Sequence, residues 1–268
     1  MHSIFNIPVD RFFVIAGPCV IESHDLCFQI ARHVKGICES LGLPYVFKAS
    51  FDKANRSSGS SFRGPGITDG LATLHAIREE FDVPVLTDVH EVDQVEQAAR
   101  TVDVLQVPAF LARQTDLLLA CGRTGRAVNV KKGQFMSPGE MANAVEKIRS
   151  TGNVNVMLTE RGTFFGYNRL VNDFTALPAM KAFGVPVIFD ATHSTQQPGA
   201  LGGASGGNPA LTPMLARAAI ASGANGLFIE CHPNPPAAKS DASSMVTLDS
   251  MESLLTSCAQ IARLRGTW

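Results

Sequence analysis

The chain has 268 residues, 45% of them hydrophobic and 18% charged, with a formal net charge of −1. That composition supplies a sizeable core and excludes a disordered chain. The balanced charge, with no long run of one sign, argues against nucleic acid or a membrane surface as a partner.

In chain order, the first ten residues precede the first strand and are expected to form a turn or hairpin that plugs the bottom of the fold. The apolar stretch 12–21 has no basic lead, contains Gly17-Pro18 and is followed by Glu22. It reads as a buried strand rather than a targeting or membrane-spanning segment. Eight short apolar, β-branched runs then follow one another, at 12–19, 45–51, 83–90, 104–109, 127–132, 154–161, 186–193 and 226–232. Runs such as Val83-Pro84-Val85-Leu86 and Pro186-Val187-Ile188-Phe189 are continuously apolar, as parallel strands covered on both faces require.

Helical segments lie between them, among them 24–41, 69–81, 91–101, 138–150 and 209–222. In 91–101 the apolar residues Val92, Val95, Ala98 and Ala99 fall on one helical face. Ser137-Pro138-Gly139-Glu140 places a capping residue, a first-turn proline and a first-turn acid in order. Gly42, Gly152, Gly184 and Gly223 stand where helices should stop. Eight alternations without a long linker predict one (β/α)₈ TIM barrel over residues 1–268, with a short N-terminal hairpin or plug. The alternative, an open doubly wound sheet, lacks its Gly-x-Gly-x-x-Gly fingerprint after the first strand. Two Gly/Ser-rich loops, 52–68 and 194–208, are expected to cover a site as mobile segments.

Barrel enzymes place their chemistry at the carboxyl ends of the strands, and here every strand delivers polar groups to that end. They include Cys19 and Glu22, Lys48 and Ser50, Asp88 and His90, Gln106, Lys131 and Lys132, Glu160 and Arg161, Asp190 and His193, and Glu230 and His232. Lys48, Lys53, Arg56, Arg63, Lys131 and Arg161 form a cationic rim suited to a small, multiply charged anion with phosphate and carboxylate groups. The competing explanation is a set of local pairs with Asp52, Asp88 and Glu160. Closure makes strands seven, eight and one neighbours, so that Cys19, His193 and Glu230 converge with Asp241 beside them. A thiolate, an imidazole and two carboxylates suit one divalent ion such as Fe²⁺, Zn²⁺, Mn²⁺ or Co²⁺. His90 and His232 are rival ligands, and an inert buried thiol is the alternative for Cys19. The six cysteines (Cys19, Cys27, Cys38, Cys121, Cys231, Cys258) show no paired spacing, which fits reduced thiols in a cytoplasmic protein.

At these residues the sequence resembles the 3-deoxy-D-manno-octulosonate 8-phosphate (KDO8P) synthase family. The likeness is carried by Phe47-Lys48-Ala49-Ser50-Phe51-Asp52-Lys53-Ala54-Asn55-Arg56-Ser57-Ser58 and by the segment from Pro108 to Asp116. Asn129-Val130-Lys131-Lys132, Glu160-Arg161-Gly162, Phe189-Asp190-Ala191-Thr192-His193 and Phe228-Ile229-Glu230 extend it over nearly the whole chain. The resemblance implies condensation of phosphoenolpyruvate with D-arabinose 5-phosphate and water, releasing phosphate, in lipopolysaccharide precursor synthesis. It implies that Lys131, Arg161, Gln106 and the backbone of Ala109 hold the phosphate side of phosphoenolpyruvate, with Lys48 and Ser50 near its carboxylate. Lys53, Asn55, Arg56, Ser57 and Asp88 would hold the sugar phosphate. Arg113 would reach a neighbouring subunit's site, which implies a homotetramer.

Cys19 resembles the metal-dependent branch of that family, with His193, Glu230 and Asp241 completing the ligand set; the metal-independent branch carries asparagine there. The chain departs from many relatives at Asn208-Pro209 and in the Ala-Ser-Ser after Asp241. The nearest rival is the related DAHP synthase, which uses erythrose 4-phosphate in aromatic biosynthesis and typically has Lys-Pro-Arg-Thr where this chain has Lys53-Ala54-Asn55-Arg56. A Schiff-base aldolase using Lys48 or Lys131 and a non-catalytic sugar-phosphate binder are the remaining alternatives.

Overall fold

Eight parallel strands form a closed ring in the computed structural model, which describes residues 3–4, 7–8, 11–55, 59–164, 166–200 and 205–265. They are β1 (Phe13–Gly17), β2 (Tyr45–Lys48), β3 (Val85–Asp88), β4 (Val104–Val107), β5 (Ala127–Lys131), β6 (Val156–Glu160), β7 (Val187–Asp190) and β8 (Gly226–His232). Each pairs with the next, and β8 pairs with both β7 (Gly226 with Ile188) and β1 (Gly226 with Phe13). Closure leaves the ring no open edge. The predicted barrel is therefore observed, with all eight strands in place. Seven are shorter than predicted, with His90 and His193 lying beyond the last strand residue.

The helices are α1 (His24–Leu41), α2 (Ile67–Phe81), α3 (Val92–Thr101), α4 (Thr115–Arg123), α5 (Met141–Arg149), α6 (Ala176–Lys181), α7 (Thr212–Ala221) and α8 (Leu248–Arg265). Segments 138–150 and 209–222 each begin as a 3₁₀ turn, Pro138–Glu140 and Pro209–Leu211, before widening into α5 and α7. Ser137 and Glu140 form the expected reciprocal capping box. Gly42, Gly152, Gly184 and Gly223 all have positive φ, between 67° and 102°, the left-handed conformation that ends a helix without a Cβ penalty. An antiparallel hairpin pairs Ser3–Ile4 with Ile7–Pro8 ahead of the barrel, as anticipated. Among the described residues no helix is long and apolar enough to cross a membrane.

Side chains alternate across each strand, and this sets the position of the site. One set packs outward under the helices in the main core, exemplified by Val14, Phe47, Val85, Leu105, Val128, Leu158, Val187 and Leu227. The other set points inward. Its lower layer is apolar, comprising Phe13, Ile15, Val46, Leu86, Val104, Ala127, Met157, Ile188 and Phe228. Two residues further along seven of the strands the inward position turns polar: Lys48, Asp88, Gln106, Asn129, Thr159, Asp190 and Glu230, each at most 6% exposed. On β1 that position is Gly17.

Glycine is required at position 17 by space, since a Cβ there would lie 1.9 Å from the Lys48 carbonyl oxygen. Gly17→Ala is expected to destabilise by about 3 kcal/mol, lowering Tm by roughly 6–12 °C in a chain of this size. Gly36 lies on the exposed face of α1 with nothing within 4 Å of its Cβ position. Gly36→Ala is expected to stabilise by about 0.5–1 kcal/mol through helix propensity. Thermal melts of the two variants check both signs.

Candidate active site and metal corner

The inward polar layer opens upward into a cavity of about 500 Å³ at the carboxyl ends of the strands. Its lining includes Lys48, Asp88, Lys131, Arg161, His193 and Glu230 from the barrel, Pro198 and Gly199 from the 194–208 loop, and Ser240 from the loop after β8.

Charge in this layer is paired throughout. The Lys48 ammonium, 1% exposed, donates to Glu230 Oε1 and, at 2.8 Å, to the Cys19 carbonyl. Lys53 Nζ donates to Ser50 Oγ at 3.0 Å and stands 3.9 Å from Asp88 and 4.0 Å from Glu230. Asp88 also accepts hydrogen bonds from Ser50 and Gln106. From there the network runs sideways around the barrel, Thr159 donating to Asn129 and Asn129 to Gln106, each at 2.8 Å. Burial pushes the Asp88 carboxyl up, but Lys48 and Lys53 outweigh it and hold it well below the usual range. Lys131 donates to Asp190 at 2.6 Å and stands 3.6 Å over the Phe228 ring, a cation–π contact that offsets part of its desolvation.

Arg161 is the least satisfied cation here. It is 5% exposed, and Nη2 donates to Gln196 Oε1 at 3.0 Å while the buried Nη1 has no partner. A buried guanidinium nitrogen beside a cavity that also holds Lys131 and Lys48 is the geometry of an anion cradle.

Adjoining the cradle at Lys48, the ligand atoms of Cys19, Glu230 and Asp241 lie within 4.8 Å of one another. Cys19 Sγ is 3.1 Å from Asp241 Oδ2 and 2.9 Å from Ser240 Oγ. His193 Nε2 faces the same point, 3.5 Å from Glu230 Oε2 and 3.4 Å from Asp241 Oδ2. Burial, then Asp241 and Glu230, push the Cys19 thiol well above its ordinary value. Burial also pushes Glu230 up, but Lys48 and His193 outweigh it, so the carboxyl lies below its ordinary range. Asp241 adopts a left-handed φ of 49°, a conformation that is uncommon outside glycine and tolerated by aspartate. Two ionised carboxylates converging on a buried thiol and an imidazole repel unless a cation or proton sits between them, so the donor set fits a borderline divalent ion.

A family model described as the DAHP synthetase I family matches residues 6–265. The chain belongs to that family. It is 58% identical over 244 residues to the 2-dehydro-3-deoxyphosphooctonate aldolase of Granulibacter bethesdensis, covering 91% of this chain and 86% of the relative. The protein of the same name from a Cyanothece species is 55% identical over 244 residues, 91% and 89% of the two chains. That from Bordetella pertussis is 52% identical over 268 residues, 97% and 94% of the two chains.

Of the residues the sequence pointed to, Lys48, Lys53, Asn55, Asp88, His90, Ala109, Lys131, Arg161, His193, Glu230 and Asp241 line this cavity. Cys19 lies just behind its wall, fully buried. Ser50 and Gln106 sit beneath the floor, with Gln106 bonded to Asp88 and Asn129 through both ends of its amide. Arg113 is exposed and outside the cavity, and Arg56 and Ser57 lie outside the described residues. The cationic rim loses Arg63, which is exposed and clamps Asp52. Lys132 faces away from the cavity to Met136 and Thr163 at 3.1 Å, with Glu160 3.6 Å away. The local-pair explanation thus holds for Arg63 with Asp52 and for Lys53 with Asp88, whereas the partner of Glu160 is Lys132, outside the predicted rim. Of the rival ligands, His90 packs edge-on against Phe51 and His232 lies 3.8 Å from Glu22. Asp190 and Gln196 were given no role from sequence, because neither motif nor spacing shows which side chains they bridge.

All six cysteines are buried and free. Burial, the leading cause in each case, pushes Cys27, Cys38 and Cys121 up to about 12. A thiol-specific disulfide reagent at pH 8 is therefore expected to modify these three in the folded protein only on the timescale of unfolding. In denaturant all six should react at once, and the two time courses measure the difference.

Proposed function

We propose that this chain is a 2-dehydro-3-deoxyphosphooctonate aldolase, working as a synthase that joins phosphoenolpyruvate to D-arabinose 5-phosphate. The observation that carries the reading is the buried cluster of Arg161, Lys131 and Lys48 adjoining the Cys19/His193/Glu230/Asp241 corner at one cavity. Relatives more than half identical over most of both chains bear that enzyme's name, whereas erythrose 4-phosphate chemistry is supported only at the level of the family.

In this reading Arg161 and Lys131 neutralise the phosphate of phosphoenolpyruvate, and Lys48 faces its carboxylate. Lys53 and Asn55, with Asp88 beneath them, orient the sugar. The methylene carbon of phosphoenolpyruvate attacks the aldehyde, water adds to the enol carbon, and the resulting hemiketal phosphate releases inorganic phosphate. A divalent ion held by Cys19, His193, Glu230 and Asp241 supplies a Lewis acid to this chemistry. The chain's own contribution is to bring two anionic reactants together over one buried polar layer, where fixed charges act strongly. Nothing in such a site requires a lysine adduct: Lys48 and Lys131 are both held in ion pairs.

The exposed position of Arg113, outside its own cavity, supports a role in a neighbouring subunit's site within a homotetramer. The anionic metabolites, free thiols and family chemistry support a cytoplasmic location.

Phosphate release tests the reading. With phosphoenolpyruvate present, kcat/KM for arabinose 5-phosphate should exceed that for erythrose 4-phosphate by about 100-fold or more, as expected where buried polar groups read a substrate hydroxyl. Exhaustive chelation should abolish turnover and added Co²⁺, Mn²⁺ or Zn²⁺ should restore it. Preference for erythrose 4-phosphate contradicts the substrate assignment, and full activity after chelation contradicts the metal corner.

A further inference from the structure

Asp190 stands at the end of β7 with no exposed surface, and both of its oxygens are engaged. Oδ2 accepts the Lys131 ammonium at 2.6 Å and lies 2.7 Å from His193 Nδ1, close enough for an ion pair though off the hydrogen-bond axis. Oδ1 accepts from the His193 backbone N–H at 2.9 Å and from Thr192 Oγ1 at 3.2 Å. Thr192 Oγ1 in turn lies 3.2 Å from the backbone nitrogen of Glu230. One carboxylate therefore touches the anion cradle through Lys131 and the metal corner through both the ring and the backbone of His193.

We infer that Asp190 is the positioning residue shared by the two halves of the site, steering Lys131 toward the anion and His193 Nε2 toward the ion. The inference deepens the proposed function and rests on it. A carboxylate 2.7 Å from Nδ1 favours the ring proton on that nitrogen, the tautomer that leaves the lone pair on Nε2 facing Glu230 and Asp241. The backbone bond to His193 fixes where the imidazole starts, so ring and main chain are set by the same group. Lys131 is held by Asp190 on one side and by the Phe228 ring on the other. Its remaining freedom is toward the cavity it lines. A filler role for Asp190 would predict neither link, because an isosteric amide would fill the same space.

Asp190→Asn keeps the volume and removes the charge. Two probes read it without turnover: Co²⁺ titrated into the metal-free protein and followed by its thiolate charge-transfer band, and phosphoenolpyruvate titrated calorimetrically into the metal-free protein. The variant is expected to bind Co²⁺ roughly 10–100-fold more weakly, the usual loss when the group orienting a ligand histidine is removed. It should also bind phosphoenolpyruvate about tenfold or more weakly. Lys131→Met should lose phosphoenolpyruvate affinity but keep Co²⁺ affinity. The Asp190→Asn/Lys131→Met double variant should bind phosphoenolpyruvate no worse than Lys131→Met alone, the non-additivity of two residues acting through one.

The double variant also removes the buried pair together, so it carries the Co²⁺ half of the test if Asp190→Asn alone does not fold. Unchanged Co²⁺ affinity in either folded Asp190 variant overturns the inference. So does a phosphoenolpyruvate loss that is fully additive with Lys131→Met. Wild-type protein that binds neither probe overturns the reading of the site itself, and this inference with it.

Discussion

Charge taken inside a barrel has to be balanced there, and this constraint organises the whole carboxyl-terminal half of the barrel interior. Removing water from an ammonium or carboxylate costs several kcal/mol unless a partner and hydrogen bonds replace it. The structure meets the demand by interleaving signs around the ring: Lys48 with Glu230, Lys53 with Asp88, Lys131 with Asp190. Amide and hydroxyl groups of Gln106, Asn129 and Thr159 fill the remaining arc, where no charge is needed. Arg161 keeps a buried Nη1 without a partner, and in the proposed reading that donor is the one an incoming phosphate would meet.

The same balance lets cations and carboxylates share one small cavity. In the proposed reading, an anion site wants surplus positive charge and a metal site surplus negative charge. Lys48 touches both, donating to Glu230 and to the Cys19 carbonyl while facing the cavity. Gln196 does so with neutral groups, accepting from Arg161 and donating to Asp241. The apolar layer of Phe13, Ile15, Val46, Leu86 and Phe228 beneath keeps water from screening these contacts, so modest displacements of one member are felt by the others.

Much of this was legible in the sequence. Eight apolar runs with glycine stops gave the strand count, and parallel closure alone brought Cys19, His193 and Glu230 from opposite ends of the chain to adjacent strands. What spacing could not supply was depth. Ser50 and Asp88 are hydrogen-bonded neighbours on adjacent strands, yet only Asp88 lines the cavity. Arg63 looked like a rim cation but meets Asp52 in its own loop. Lys131 and Lys132 are sequence neighbours on opposite faces of the sheet, so strand alternation assigns one to the site and the other to Glu160. Asp190 was visible only as a strand-end acid, since its importance lies in partners 59 and 3 residues away.

A structure of the protein crystallised with phosphoenolpyruvate and Co²⁺ tests the central claim most directly, because the claim is about where charge is left unbalanced. The phosphate should lie within hydrogen-bonding distance of Arg161 and Lys131 and the carboxylate should face Lys48, with the ion among Cys19, His193, Glu230 and Asp241. Phosphoenolpyruvate bound away from Arg161 and Lys131, or an ion held by other residues, would contradict the account.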